Sequence, residues 1–450
     1  MRRFLKVIGI LVLIPIVLVA IIVAALQVQP VRDRLMVVVE DAVSGPDFGL
    51  TIEGFRGSPP FDMRFDRIAL SDSEGVWLDI RDIHLAIAWR KFFALRAEID
   101  EIYASSISVA RAPVATEPAE EEPPGEFALP PPPELPESLP PVALNRLAVD
   151  DIAIGEPLFG QAISLGLQGH AKVSEAKDQA DIALDVRRLD QATAEASLEF
   201  VLDLVTQALA IDLHAEETGG LLAAITQMPD AGNLRVDLNG EGPLADWQGE
   251  LDADAQNLAQ LSTTLALAYT DRLGIGLDAK LTAAASLLPA GIEPLTGTDF
   301  ALQLAADFAD PGLVTLHSFA LTSDGPTIQA SGHVDLDQQA HDLVLTAELT
   351  ELSKASAIAA ADMDGSAKLV AKSHGPVAQP QLSVELVGSE LAFDAFALDR
   401  LSLALDAEIT KPIDGAVQAA TAKLDGSVND LTQNGKPLLV DDRLTLSVLA

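Results

Sequence analysis

Seven histidines, the Asp252/Asp254 pair and one Gly-Lys dipeptide are the residues whose types and spacing could do chemistry. The histidines are His84, His170, His214, His317, His333, His341 and His374. None forms an H-E-x-x-H pair or any other tight ligand spacing, and most fall on the polar side of alternating stretches. They are expected to be solvated rather than bound to metal. Asp252 and Asp254 open like a calcium loop, but the required glycine and closing glutamate are missing. Gly435-Lys436 lacks the upstream glycine of a phosphate loop and runs into Pro437. There is no G-x-S-x-G elbow and no G-x-G-x-x-G turn. With no cysteine in the chain, disulfides and thiolate chemistry are excluded. The residues therefore predict no catalytic site, no cofactor and no metal.

What remains to be explained is where the chain sits and how it is patterned. Val7 to Leu26 is a run of twenty uncharged residues behind Arg2, Arg3 and Lys6. That length spans a hydrocarbon layer of about 30 Å as a helix, and the basic residues hold the N-terminus in the cytoplasm. A cleaved signal would need a shorter apolar core and a small-x-small site, which Ala24-Ala25-Leu26-Gln27 does not provide. An uncleaved anchor in the inner membrane, with the bulk of the chain in the periplasm, is expected. Val31 to Val43 has helical apolar spacing and is expected to continue as a short helix. The net charge is −38. Residues 1–111 hold 13 basic and 14 acidic residues, which leaves 16 against 53, a net of −37, for residues 112–450. Such a field repels nucleic acid and anionic surfaces.

Beyond the anchor, alternation with period two dominates. Ile83, Leu85, Ile87 and Trp89 face one way and His84, Ala86 and Ala88 the other. The pattern recurs at Ile182-Leu184-Val186, Leu209-Ile211-Leu213, Leu343-Leu345 and Leu401-Leu403-Leu405. Half-buried antiparallel strands have this pattern. Asn239-Gly240, Asp364-Gly365 and Asp425-Gly426 are expected turns between them. Eleven of the 29 residues from Pro113 to Pro141 are proline, so that stretch is expected to be an extended loop. Deleting Thr116 to Glu137 should then leave stability unchanged. Gln207 to Glu217 aligns with Gln339 to Leu349 at an offset of 132, and each copy continues into an Ala/Leu-rich segment, Leu221 to Met228 and Ala355 to Ala361, expected to be helical. Gly240 to Leu258 then aligns with Ser373 to Leu391 at an offset of 133. A unit of about 130 residues stacking in a quasi-linear array follows. The expected organisation is a tip and anchor over residues 1–30, a β module over 31–112, the Pro-rich loop over 113–141, and a repeated β-groove over 142–450. About ten residues per strand predicts roughly 30 strands in that last region.

The stretch SPPFDMRFDRIALSDSEGVWLDIRDIHLAIAW (Ser58 to Trp89) resembles the N-terminal module of the TamB family, within the AsmA-like group. The resemblance continues through the Pro-rich insertion, PVALNRLAVDDIAIGEPLFG (Pro141 to Gly160), IALDVRRLD (Ile182 to Asp190), and the turns Gly242-Pro243 and Gly375-Pro376. It implies an all-β fold, an elongated antiparallel sheet curled into a trough with an apolar interior. It also implies an inner-membrane bridge protein that supports outer-membrane protein assembly with a BamA-like barrel, TamA, or passes phospholipid along the groove. The family has no catalytic residues to carry over. Contact with the barrel belongs to a C-terminal region that the family has beyond the point where DRLTLSVLA ends this chain at Ala450.

Three functions are weighed on this basis. In the first, phospholipid acyl chains line the sheet on the side of Leu401, Leu403 and Leu405. A second has the same leucines closing on each other as the core of a purely structural scaffold. In the third, an exported β-helix enzyme, a site constellation would be required that the chain does not have.

Overall fold

The structure is a computed structural model. It describes residues 34–449, without 35, 39, 41–42, 46–47, 89–96, 115–137, 140–141, 191–192, 219, 221–231, 271, 310–311, 411–418 and 440–442. The expected anchor from Val7 to Leu26 lies outside the described residues. Among those described, no helix is long and apolar enough to cross a membrane. Arg34, Met36 to Val38, Glu40 and Val43 are helical, as the spacing over 31–43 predicts. The rest is all-β. The chain forms two compact units, Met1–Glu122 with Pro136–Thr206 and Ala210–Arg235, and Val236–Ala450 with Pro123–Leu135 and Gln207–Leu209.

The first unit holds β1 (Gly49–Glu53), β2 (Arg56–Ser58), β3 (Asp62–Asp72), β4 (Gly75–Ile87), β5 (Ala97–Val109), β6 (Val142–Ile154), a one-turn helix α1 (Glu156–Phe159), β7 (Ile163–Val173), β8 (Gln179–Arg188) and β9 (Ala194–Asp203). Strands β1 and β2 both pair with β3, and β3–β4–β5 and β6–β7–β8–β9 are antiparallel ladders. The alternation changes phase within β4. Leu78 and Ile80 precede Asp82, which has φ +47°, and Ile83 and Leu85 follow it on the other face.

One pairing departs from the antiparallel expectation. Strands β5 and β6 run parallel, from Ala97 beside Val142 to Val109 beside Ile154. Parallel neighbours need a crossover of a dozen residues or more, because the chain must return to the starting end. The Pro-rich stretch supplies that return, so it sets a length that the fold requires and is not a freely removable insertion. Its ends are pinned. Arg111 grips Asp72 with two hydrogen bonds of 2.5 and 2.7 Å, the Val114 N–H donates to the same carboxylate at 2.9 Å, and the Leu139 N–H donates to the Lys177 carbonyl at 2.8 Å.

Strands β10 (Ala208–Glu217) and β11 (Leu234–Pro243) follow. The second unit then runs β12 (Trp247–Ala255), β13 (Ala259–Tyr269), β14 (Leu273–Ala283), α2 (Glu293–Thr296), β15 (Asp299–Ala309), β16 (Leu313–Ser323), β17 (Pro326–Asp335), β18 (Ala340–Leu349), α3 (Ser356–Ala359), β19 (Met363–Pro376), β20 (Gln381–Phe393), β21 (Phe396–Thr410), β22 (Ala419–Asn429), the small hairpin β23 (Thr432–Gln433) and β24 (Lys436–Pro437), and β25 (Arg443–Leu449). Each strand from β12 to β22 pairs antiparallel with the next, and β22 pairs with β25. There are 20 described strands from β6 onward, fewer than the sequence estimate, because most run 9 to 15 residues.

The repeat is real and finer than its sequence period. Gln207 and Gln339 both take φ +51°, and their carbonyls accept from the Leu244 and Val377 N–H groups at 2.6 and 2.7 Å. Helix α2 follows β14, α3 follows β18, and the β23–β24 hairpin follows β22. An insertion thus recurs every four strands, always at the same end of the antiparallel strands, and Pro243, Pro311 and Pro376 keep the same half-period. Helix α3 and the 3-10 turn Leu352–Ala355 fulfil the helical expectation over 355–361. The matching segment 221–228 lies outside the described residues.

The three expected glycine turns are not turns. Gly240 lies in β11, where a Cβ would sit 2.1 Å from the Trp247 ring. Gly426 is in mid-β22 beside Leu403, and Gly365 sits at a bulge in β19 with φ +105°. Each glycine makes room for a neighbour or bends a strand, the second use of glycine within sheets.

Candidate functional site

The strand registers of the second unit assemble the site. Directly opposed residues on adjacent strands share a face, so the registers link residues into rows. The row through Leu403 runs Leu251, Thr263, Ala279, Leu302, Leu321, Ile328, Ala347, Leu369, Leu386, Leu403, Gly426 and Leu446. The row through Leu405 runs from Gly249 through Leu265, Leu277, Leu304, Phe319, Ala330, Leu345, Ala371, Val384 and Leu424 to Val448. Leu401 lies opposite Gly388 and Val428 in a third row. Across twelve strands these rows contain one polar side chain near Leu403, Thr263, and none in the row of Leu405.

The other face is mostly polar. Its row through Ser402 carries Asp252, Ser262, Lys280, Thr322, Thr327, Glu348, Lys368, Ser427 and Thr445, interrupted by Ala301 and Val387. Lys368 pairs with Glu348 at 3.4 Å, Gln303 donates to Asp278 at 3.0 Å, and Lys423 donates to Asp425 at 2.6 Å. Leu401, Leu403 and Leu405 are therefore placed together on one side, and Ser402, Ala404 and Asp406 on the other.

The apolar face is not closed. Among the described residues, no large side chain falls below 2% exposure. Leu401, Leu403, Leu405, Leu369, Leu386, Leu302 and Leu304 are half-buried, Leu345 is 39% exposed, and Leu446 is 57% exposed. A second sheet packed about 10 Å away would bury such leucines, as sandwich cores do. Among the described residues closure is partial: Trp247, Ala279 and Ala283 are buried near β12 to β14, Ala306 in β15, and Leu391 over Gly388 in β20. The Trp247 ring packs over Gly240 and Gly249, and its Nε1–H donates to the Leu209 carbonyl at 3.0 Å.

Comparison with protein-family models, curated proteins and solved structures gives no match.

The other candidate chemistry resolves into structure. Asp252 and Asp254 stand in strand β12, with Asp254 accepting from Gln260 at 3.3 Å. His84 meets Glu101 at 2.7 Å, His170 meets Asp181 at 3.2 Å, and His317 meets Asp307 at 2.8 Å. Gly435-Lys436 turns the β23–β24 hairpin. Among the described residues no three His, Asp or Glu side chains converge as a metal centre. A cleft of about 570 Å³ in the first unit is lined by Arg56, Arg64, Asp62, Asp66, His84 and Tyr103. Its arginines are already paired, Arg56 with Asp66 and Arg64 with Asp62 at 3.4 Å, and Asp82 adds a further carboxylate, so it offers no free cation to an anionic ligand. Asp72 is held well below the usual carboxylate range, first by the Arg111 hydrogen bonds and then by the Val114 N–H. Sequence reasoning found the leucines of β21 but missed their partners Leu302, Leu321, Leu369 and Leu386. The signal was present as alternation in each strand, but only the register shows that the alternations line up.

Proposed function

We propose that this chain is an inner-membrane-anchored periplasmic bridge, and that the apolar face of its second unit carries phospholipid acyl chains. The observation behind this reading is the apolar strip through Leu403 and Leu405, most of whose side chains are only partly buried. Twelve strands at about 4.8 Å make it about 50 Å long. A hydrocarbon layer of two leaflets is about 30 Å thick, so one acyl chain fills only a part of the strip. A track along which a chain slides fits that ratio better than a pocket that seals one. Each methylene that leaves water gains about 0.8 kcal/mol. The face therefore favours acyl chains and has no charge to stop them in its two central rows.

The uncharged span from Val7 to Leu26 supports an anchor in the inner membrane with the strands in the periplasm, and the TamB-like stretches support the bridge role. On that resemblance, the wider role is outer-membrane protein assembly with a TamA-type barrel, or lipid passage between the membranes. The scaffold reading draws on one observation, the closed packing around Trp247 and Ala279. A census of lipid co-purified in mild detergent separates the two. Phospholipid retained by the wild-type chain and lost on Leu403→Asp supports the track. No lipid above a detergent blank would leave the scaffold. Carbonate extraction tests the anchor, which predicts that the chain stays in the inner-membrane pellet with Met1 to Leu26 intact.

A further inference from the structure

The polar face of the second unit brings together residues that are far apart in sequence. His333 on β17 stands directly opposite Asp342 on β18, and Asp342 stands directly opposite His374 on β19. All three are exposed, and none of their side chains makes a hydrogen bond or ion pair. We propose that His333, Asp342 and His374 form a binding site for a divalent transition-metal ion of the zinc, nickel or copper class.

The geometry points there for three reasons. Neighbouring strands lie about 4.8 Å apart, so the two histidines stand about 10 Å from each other with the aspartate between them. An ion above Asp342 is then about 5 Å from the plane position of either histidine, and about 2 Å of that is the metal–nitrogen bond itself. An imidazole ring covers the remainder. The donor set of two imidazoles and one carboxylate suits borderline metals, with water filling the open positions. In the recorded conformation the three side chains do not converge. They are exposed, however, and exposed side chains change rotamer within nanoseconds, so convergence requires no movement of the sheet. Other charges share this face. Asp335 lies two residues from His333, and Glu408 is opposite Gln381, which is itself opposite His374. Lys372 lies two residues from His374, and Lys423 and Asp406 line the same hollow as His374 and Glu408. Local charge thus leans negative, in favour of a cation.

His341 supplies an internal control. It adjoins Asp342 in sequence but belongs to the opposite face, where its Nε2 meets the Ser373 hydroxyl at 2.7 Å. The test is a calorimetric titration of the full chain with zinc, with excess magnesium present to occupy the general acidic surface. The wild type should bind one zinc ion, and His333→Ala, Asp342→Asn and His374→Ala should each weaken it about tenfold or more, whereas His341→Ala should not. Circular dichroism of each variant checks that the strands are intact. Equal binding by all the proteins, or a loss common to His341→Ala, would mean adventitious binding to a polyanion and overturn the site. No binding by the wild type would overturn it as well. Neither result bears on the lipid track, which lies on the other face.

Discussion

Shortening the crossover between β5 and β6 measures how firmly the parallel pairing holds the first unit. Strand β6 begins at Val142 beside Ala97, while β5 ends at Val109, twelve residues farther along. At about 3.3 Å per residue the chain must travel back about 40 Å. The 32 residues from 110 to 141 can reach about 110 Å, ample for the return. Removing Thr116 to Glu137 leaves ten residues, whose limit is about 36 to 40 Å fully taut. Val114 and Leu139 would then be three residues apart in sequence, yet their N–H groups bond to Asp72 and to Lys177, at opposite ends of the strands. Both anchors cannot survive. The Leu139 hydrogen bond and two or three rungs of the β5–β6 ladder should be lost, at about 1 kcal/mol each. A total of about 2 to 4 kcal/mol lowers the Tm of a unit this size by roughly 5 to 10 °C. Removing only Thr116 to Pro124 leaves 23 residues and a reach of about 80 Å, so its Tm should stay within about 1 °C of wild type. Differential scanning calorimetry of the three chains decides the matter. An unchanged Tm for the long deletion would refute the parallel crossover and restore the simple loop.

Three further outcomes follow from the same geometry. Trp247→Ala removes a buried ring with a satisfied N–H and should cost about 3 to 5 kcal/mol, whereas Leu403→Ala should cost about 2 kcal/mol, since that side chain is only partly buried; urea titration distinguishes them, and equal large losses would make Leu403 an ordinary core residue. Asp72 has a depressed folded-state pKa, so its contribution to stability is fully present above about pH 4, the unfolded value, and is lost only as pH falls through the lower folded value. Asp72→Asn should therefore destabilise the chain at pH 6 and flatten its stability profile below pH 4, and an unaltered acid profile would show that the Arg111 grip is not coupled to folding. Gly426→Leu, placing a large side chain against Leu403, should lower Tm and block the strip at that strand, read by calorimetry and by lipid retention.

The amino-acid pattern made the all-β class legible, because alternation at Leu343-Leu345 or Leu401-Leu403-Leu405 reports strand phase residue by residue. It also showed the 132-residue repeat, though not the four-strand period within it, which the placement of α2, α3 and the β23–β24 hairpin made visible. Parallel pairing of β5 and β6 could not be read, since both directions give the same alternation. The Asn-Gly and Asp-Gly pairs misled because a glycine accommodating Trp247 or Leu403 looks in sequence like one that turns the chain. Leu403 was legible as a face residue, but its neighbours Leu386 and Leu369 depend on register, which side-chain alternation fixes only to within two residues.

The central claim is that the leucine side of the second unit meets acyl chains, and site-specific photo-crosslinking in cells tests it most directly. A crosslinker at 403, and another at 345 in the neighbouring row, should capture phospholipid, while crosslinkers at 402 and 346 on the polar face should not. Capture at 403 and 345 of nothing but protein from the same chain would contradict the claim and leave these leucines as the interior of a scaffold.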